Sequence, residues 1–201
     1  MTHEPGPVAE AAEAALAGRL IVLPTDTVYG IGTRPDDAAA TARLFRAKGR
    51  ARDVPLPVLA PSMAAAADVA SFDDRVERLA ARVWPGAVTI VLRRTARSER
   101  WDLGDDRSTI GVRVPAHPLA LAVLARSGPL AVTSANRSGE PTPGSCDELQ
   151  RTFGDAVSVY LCAAEEPPAA PSTVVDLTAA EPRILRRGTL DAAELERLLS
   201  A

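Results

Sequence analysis

Apolar positions along the chain fall into short runs set between helical stretches and turns. Residues 8–17 repeat Ala and Leu around Glu10 and Glu13 and stop at Gly18, the pattern of a helix with a glycine end. Leu20-Ile21-Val22-Leu23 is a continuous apolar run of strand character. Asp36 or Asp37 caps a helix running through Leu44 and Phe45 to about Ala47. A strand over 56–60, an alanine-rich helix over 62–70 and a helix from Asp73 to Trp84 follow, the last stopped by Pro85-Gly86. Next come a β-branched strand over 88–92, a polar loop over 94–107, an alternating strand over 109–114 and a helix over 118–126. Residues 130–132 form a strand and 147–153 a short helix, with further strands over 156–161, 173–177 and 183–186. A last helix opens on Asp191 with Glu194 three residues on, and carries Leu195, Leu198 and Leu199 on one face. Strands alternate with helices, yet several strands follow one another directly. This predicts an α/β fold with a twisted mixed sheet and flanking helices rather than a doubly wound parallel one.

Two of the strands end in chemistry. The run ending at Leu23 opens into Pro24-Thr25-Asp26-Thr27-Val28-Tyr29-Gly30, and the run ending at Val132 opens into Thr133-Ser134-Ala135-Asn136-Arg137-Ser138-Gly139. Strand ends of open α/β sheets are where ligands bind, although Thr, Asp and Gly are also ordinary turn residues. Arg113 interrupts an otherwise apolar strand, a costly place for a charge unless it is paired or lies at an open site. Snorkelling from an edge strand is the bland account of it.

The basic residues sharpen this picture. Lys48 is the chain's only lysine among 23 basic residues, and Arg43, Arg46, Lys48, Arg50 and Arg52 crowd one stretch at a helix C-terminus. A helix dipole favours cations there by about 0.3–1 kcal/mol each, which accounts for one or two charges; five mutually repelling ones call for an anion among them. The net charge of -3 argues against a protein that coats nucleic acid, while leaving room for a local positive pocket.

With 201 residues the chain is expected to be one domain over 1–201, and with 3% aromatics its core must be built from Ala, Val and Leu. Cys146 and Cys162 give no disulfide framework and no metal-ligand spacing, and two histidines, His3 and His117, make a histidine-based metal site improbable. Residues 1–7 contain no signal-peptide core, and no apolar run reaches the ~20 residues of a membrane span. The expected location is cytoplasmic, with no membrane partner.

Seven pieces then occur in order: the 24–30 stretch, Lys48-Gly49-Arg50, Trp84-Pro85-Gly86, Val112-Arg113-Val114-Pro115, Thr133-Ser134-Ala135-Asn136 with Ser138-Gly139, Pro171-Ser172-Thr173-Val174-Val175-Asp176, and Ile184-Leu185-Arg186 with Gly188. Together, over residues 18–190, they resemble the YrdC/Sua5 family of threonylcarbamoyl-adenylate synthases. The resemblance implies a YrdC-like twisted sheet with a concave, positively charged pocket. It also implies a reaction joining L-threonine, bicarbonate and ATP into threonylcarbamoyl-AMP and pyrophosphate, for N6-threonylcarbamoyladenosine at position 37 of tRNA. Transfer to tRNA would run through separate threonylcarbamoyl-transferring proteins. The family signature falls on Lys48, Arg50, Ser134 and Asn136, the implied catalytic set. Thr25, Arg113, Ser134 and Ser172 are the implied threonine contacts, and Lys48, Arg50, Arg52, Thr109, Asn136 and Arg186 the implied ATP contacts, with Mg²⁺ on the phosphates.

Elementary chemistry agrees. ATP, a threonine carboxylate and a developing carbamate bring about six negative charges into one cleft, so the site must supply cations first. In-line attack of a carbamate oxygen on the α-phosphorus asks for positioning and charge stabilisation, not an enzyme nucleophile. The chain departs from the pattern at Leu59, where some family members carry a histidine, and it resembles the short form that ends after the catalytic domain. Two other readings compete. One is a tRNA- or double-stranded RNA-binding module using the 43–52 cluster and Arg93, Arg94, Arg97 and Arg100, against which the overall acidity stands. The other is the related module of hydrogenase maturation proteins, which sits in much longer chains.

Overall fold

The computed structural model describes residues 6–190, 193–194 and 197–198. Local sequence sets most element ends. Helix α1 (Pro7–Leu16) starts with proline in its first turn, and the chain leaves it through Gly18 at a φ of +73°. Asp37, not Asp36, caps α2 (Ala38–Lys48), accepting from the Ala39 and Ala40 amides, and α2 closes on Gly49 in the left-handed conformation. Ser62, Asp73 and Ser145 cap α3 (Met63–Ala67), α4 (Asp74–Val83) and α6 (Cys146–Phe153) in the same way. His117 caps α5 (Pro118–Ser127) through Nδ1. The expected helix from Asp191 cannot be followed, since Asp191, Leu195 and Leu199 lie outside the described residues.

Nine strands among the described residues form one sheet: β1 (Ile21–Leu23), β2 (Gly30–Thr33), β3 (Val58–Leu59), β4 (Val88–Arg93), β5 (Thr109–Arg113), β6 (Leu130–Ser134), β7 (Val159–Tyr160), β8 (Thr173–Asp176) and β9 (Arg183–Arg186). Their order is β7-β1-β2-β6-β3-β5-β4-β8-β9. The pairs β1/β7, β3/β5 and β4/β8 are parallel and the others antiparallel, so the sheet is mixed, as the run of consecutive strands predicts. Strand β2 is not foreseen by the apolar pattern, because Gly30-Ile31-Gly32-Thr33 has low strand propensity. Its glycines answer a packing demand: a Cβ on Gly32 would stand 2.6 Å from both the Ala131 carbonyl oxygen and a Val132 methyl.

The two sheet faces are treated differently. Leu20, Val22, Ile31, Val58, Ile90, Val112, Ala131 and Val175 point to one side and are buried against Leu44 and Phe45 of α2 and Val76, Leu79 and Ala80 of α4. On the other side, Ile21, Leu23, Leu59, Leu130 and Val132 pack against α1 and α5. That second cover stops short. Pro57, Thr109, Gly111, Val91 and Val174, on the same face over β3, β5, β4 and β8, stay half-exposed although they sit mid-sheet. The open stretch of a central sheet face is where a ligand can lie.

No helix among the described residues is long and apolar enough to cross a membrane. One expectation is corrected: Cys146, at the start of α6, and Cys162, just past β7, form a disulfide with Cα atoms 5.9 Å apart. Their separation of 16 residues looks like nothing in sequence, because the bond depends on α6 folding back beside β7.

Candidate active site

Arg113 ends β5 on the open face and is 6% exposed. Its Nε donates to the Gly86 carbonyl oxygen at 2.9 Å, Nη1 to Thr27 Oγ1 at 2.9 Å and Nη2 to Asp26 Oδ1 at 2.6 Å. Burial and the Arg186 charge lower its pKa, against the opposing pull of Asp26. The turn that presents Gly86 tolerates no side chain, since a Cβ there would lie 2.4 Å from the Val83 carbonyl oxygen. Thr27 also shares a hydrogen bond with Thr25, Oγ1 to Oγ1 at 2.9 Å, and Thr25 closes its own turn on the Val28 carbonyl. The loop 24–29 between β1 and β2 is thus knitted to the end of β5.

Arg186, on β9, clamps Ser172 twice, Nε to its carbonyl oxygen at 3.0 Å and Nη2 to its Oγ at 2.9 Å. Ser172 Oγ is in turn 2.9 Å from Thr89 Oγ1 of β4. Strand pairing sets Thr89 opposite Val174 and Val174 opposite Arg186.

A second group is built on the end of α2. Lys48 is 2% exposed, the length of its side chain buried, and Nζ donates to the backbone carbonyls of Ser134 and Asn136 and reaches Asn136 Oδ1 at 3.4 Å. The Lys48 carbonyl accepts from the Ser138 amide at 2.8 Å. Burial, then the neighbouring Arg50 charge, push the Lys48 pKa down to about 8. Asn136 Nδ2 holds the Arg137 and Glu140 carbonyls, closing the turn after β6. Arg50 donates to the Val54 and Pro55 carbonyls, and among the described residues no carboxylate lies within salt-bridge range of it. Burial and Arg186 lower its pKa as well. Lys48, Arg50, Arg186 and Arg113 therefore form a chain in which each cation feels the next.

Register separates the two groups. Leu59 pairs with both Arg113 and Leu130, and Ser134 stands four residues beyond Leu130 on β6. At strand rise that is about 13 Å along the sheet between the two backbones; Ser134 stands at the Lys48 end, and loop 24–29, bonded to Arg113 at Asp26 and Thr27 and leading into Gly30 opposite Ser134, spans the interval. The distance suits a ligand with two dissimilar ends. Leu59 is 5% exposed and packed with Leu23 and Leu130, filling its position with hydrocarbon.

Two expected contacts are otherwise engaged. Arg52 is paired with Asp102 and, at 3.4 Å, with Asp105, and stacks over Phe45 with 5.0 Å from its guanidinium carbon to the ring centre. The Thr109 hydroxyl donates to Asp106, whose carboxyl is thereby held down to about 2. Arg94 is 5% exposed and donates to the Thr109, Ser98, Trp101 and Asp106 carbonyls. It is a loop anchor and is withdrawn from any phosphate-tracking row with Arg93, Arg97 and Arg100. Residues that sequence reasoning did not single out are Asp26, Thr27 and Thr89. Asp26 and Thr27 sit inside the recognised stretch, whereas Thr89 carries no local signal.

The chain is similar to known proteins in sequence and in fold. The family described as Sua5_yciO_yrdC, telomere recombination, matches residues 13–188. A protein of Mycobacterium tuberculosis (strain ATCC 25618 / H37Rv) is 44% identical over 193 residues, 96% of this chain and 88% of its own. The threonylcarbamoyl-AMP synthase of Pyrococcus abyssi is 37% identical over 184 residues, 90% of this chain and 54% of its own. The crystal structure of P. abyssi Sua5 complexed with L-threonine superposes with a TM-score of 0.86 at 34% identity, covering 95% of this chain and 56% of that one. The chain thus spans little more than half the length of the P. abyssi relatives. With a family match over nearly its whole length and the family's sheet, this chain belongs to the Sua5/YciO/YrdC family.

Proposed function

We propose that the chain is a nucleotidyltransferase that makes threonylcarbamoyl-AMP from L-threonine, bicarbonate and MgATP, releasing pyrophosphate. The observation that carries this reading is the row of cations Lys48, Arg50, Arg186 and Arg113, which runs from the turn after β6 to the open stretch of sheet at the end of β5. An amino acid held at Arg113 and a nucleotide held towards Lys48 would meet between them. Relatives named threonylcarbamoyl-AMP synthase and a threonine complex of the same fold support the assignment of substrates.

In this reading the threonine amine takes up bicarbonate with loss of water, the carbamate oxygen of the resulting N-carboxythreonine attacks the ATP α-phosphorus, the bond to the bridging oxygen breaks, and pyrophosphate leaves with the electron pair. The residues contribute charge and placement. Arg113 pairs with the threonine carboxylate, Thr25 shapes that end, and Ser172 sets Arg186. Arg50 and Arg186 face the phosphates, and Lys48 adds its charge while holding the turn that carries Ser134 and Asn136. Among the described residues no cluster of three or more His, Cys, Asp or Glu is placed to hold a metal. Mg²⁺ would enter with ATP, on its phosphate oxygens. The adenylate would then pass to separate transferring proteins for position 37 of tRNA, in the cytoplasm.

The test is pyrophosphate release with purified protein and MgATP, with mass-spectrometric detection of the adenylate. Release that requires both threonine and bicarbonate is the expected result. Tight, steeply salt-dependent tRNA binding with no threonine-dependent ATP consumption would overturn the assignment in favour of an RNA-binding module.

A further inference from the structure

Arg113 has five N–H donors, and the described residues engage three: Nε with Gly86, one on Nη1 with Thr27 and one on Nη2 with Asp26. One N–H remains on each terminal nitrogen, the donor number a two-pronged carboxylate takes. What selects this orientation is chiefly Asp26. Its Oδ1 accepts from Arg113 at 2.6 Å and from the Ala116 amide at 2.9 Å, so one oxygen fastens loop 24–29 to both the guanidinium and the segment leading into α5. The ion pair is nearly dry, with side chains 7% and 17% exposed. A guanidinium so placed beside Arg186 and without its carboxylate would swing toward whatever oxygen or water it could reach.

We propose that Asp26 is the positioning residue for the amino-acid end of the site: it aims Arg113, and through that aim it sets affinity for the α-carboxylate of the amino-acid substrate while leaving the nucleotide end untouched. The inference rests on the function proposed above. Asp26 acts through Arg113, so its signature is a split between substrates. Nothing in the Lys48 group hydrogen-bonds to Asp26, Thr27 or Arg113 among the described residues; the two ends are linked through the Arg186 and Arg50 charges and at the far end of loop 24–29, where the Ala135 amide donates to the Tyr29 carbonyl at 2.8 Å.

The experiment compares Asp26→Ala, Asp26→Asn and Thr27→Val in steady-state pyrophosphate release, varying threonine and ATP separately. Asp26→Ala is expected to raise the threonine KM by about tenfold to a hundredfold, the usual loss for a hydrogen bond to a charged group, with the ATP KM little changed. Asn keeps an Oδ1 acceptor for both Arg113 and the Ala116 amide, so Asp26→Asn is expected to restore most of the threonine affinity. Thr27→Val preserves shape and removes the Nη1 acceptor, giving a smaller rise confined to threonine. Should Asp26→Ala not fold, the other two variants carry the test. Equal rises in both KM values, no rise in either, or an Asn variant as poor as Ala would overturn the positioning role. Wild-type protein with no threonine-dependent release would instead overturn the function on which this rests, and the two failures are read from different samples.

Discussion

Lys48 and Asn136 are tied together twice, Nζ donating to the Asn136 carbonyl oxygen at 2.6 Å and approaching its Oδ1 at 3.4 Å. With the Ser134 carbonyl as third acceptor, the ammonium is enclosed by three oxygens that suit its three N–H groups. The lone lysine is thus a strut for the turn after β6 as well as a charge. Arginine cannot occupy such a point-like seat. Lys48→Arg is therefore expected to cost nearly as much activity as Lys48→Met, about a hundredfold or more, in contrast to an exposed phosphate contact, where Arg would substitute. Pyrophosphate release by the two variants, with circular dichroism to show that each folds, decides between them.

The same seat makes a pH prediction. Lys48 titrates near its ordinary 10.5 in the unfolded chain and near 8 in the folded one. Between those values the unfolded chain binds more protons, so the burial penalty on Lys48, complete below about pH 8, is released as pH rises toward 10.5 and stability increases, by an amount on the order of 2–3 kcal/mol. Activity should move the other way, because a neutral amine offers two N–H groups to three oxygens and adds no charge. Urea titrations at pH 7 and pH 9.5 are expected to show wild type gaining stability relative to Lys48→Met, while kcat falls past about pH 8. A wild-type minus variant difference that does not change with pH would contradict this.

Local chemistry made much of this fold legible. The caps at Asp37, Ser62 and Asp73 and the stop at Gly18 act within a turn of the residues they govern, so they can be read directly. Strand β2 escaped because the demand for glycine at Gly32 comes from Val132, a hundred residues away in the chain and adjacent in the sheet. The site was half legible for the same reason. Motifs located Lys48, Arg50, Arg113, Ser134, Asn136, Ser172 and Arg186, but not what holds them: Lys48 meets its carbonyls across 86 and 88 residues, and Arg113 meets Asp26 across 87. Arg52 and Thr109 match the family pattern, yet Asp102, Asp105 and Asp106, in a stretch that reads only as polar loop, engage both.

Ser172 is the middle of a three-residue relay. Arg186 donates to its Oγ, which also shares a hydrogen bond with Thr89 Oγ1. Ser172 and Thr89 are 5% and 6% exposed, so Ser172→Ala strands the buried Thr89 hydroxyl and should cost about 1–3 kcal/mol of stability. Thr89→Val removes the other end of the same bond. The double variant is therefore expected to lose less than the sum of the singles, by about 0.5–3 kcal/mol. Denaturant melts of the four proteins measure this coupling, and strict additivity would show that the hydroxyls do not share a bond.

The disulfide bears on the Lys48 end of the site. Cys146 opens α6 directly after the 137–145 loop, whose Glu140 carbonyl and Thr142 hydroxyl hold the Asn136 side chain. Cys162 follows Tyr160, which pairs with β1. The bond therefore anchors one end of the Asn136 loop to the sheet. Closing a loop of 16 residues stabilises a chain by about 3 kcal/mol in the chain-entropy account. Denatured, unreduced protein should show no free thiol, and Cys146→Ser should lower both Tm and the affinity for ATP, with threonine affinity little affected because Arg113 is held by Asp26, Thr27 and Gly86 instead. Two free thiols per chain in oxidised protein, or a variant weakened equally toward both substrates, would refute this link between the bond and the nucleotide end.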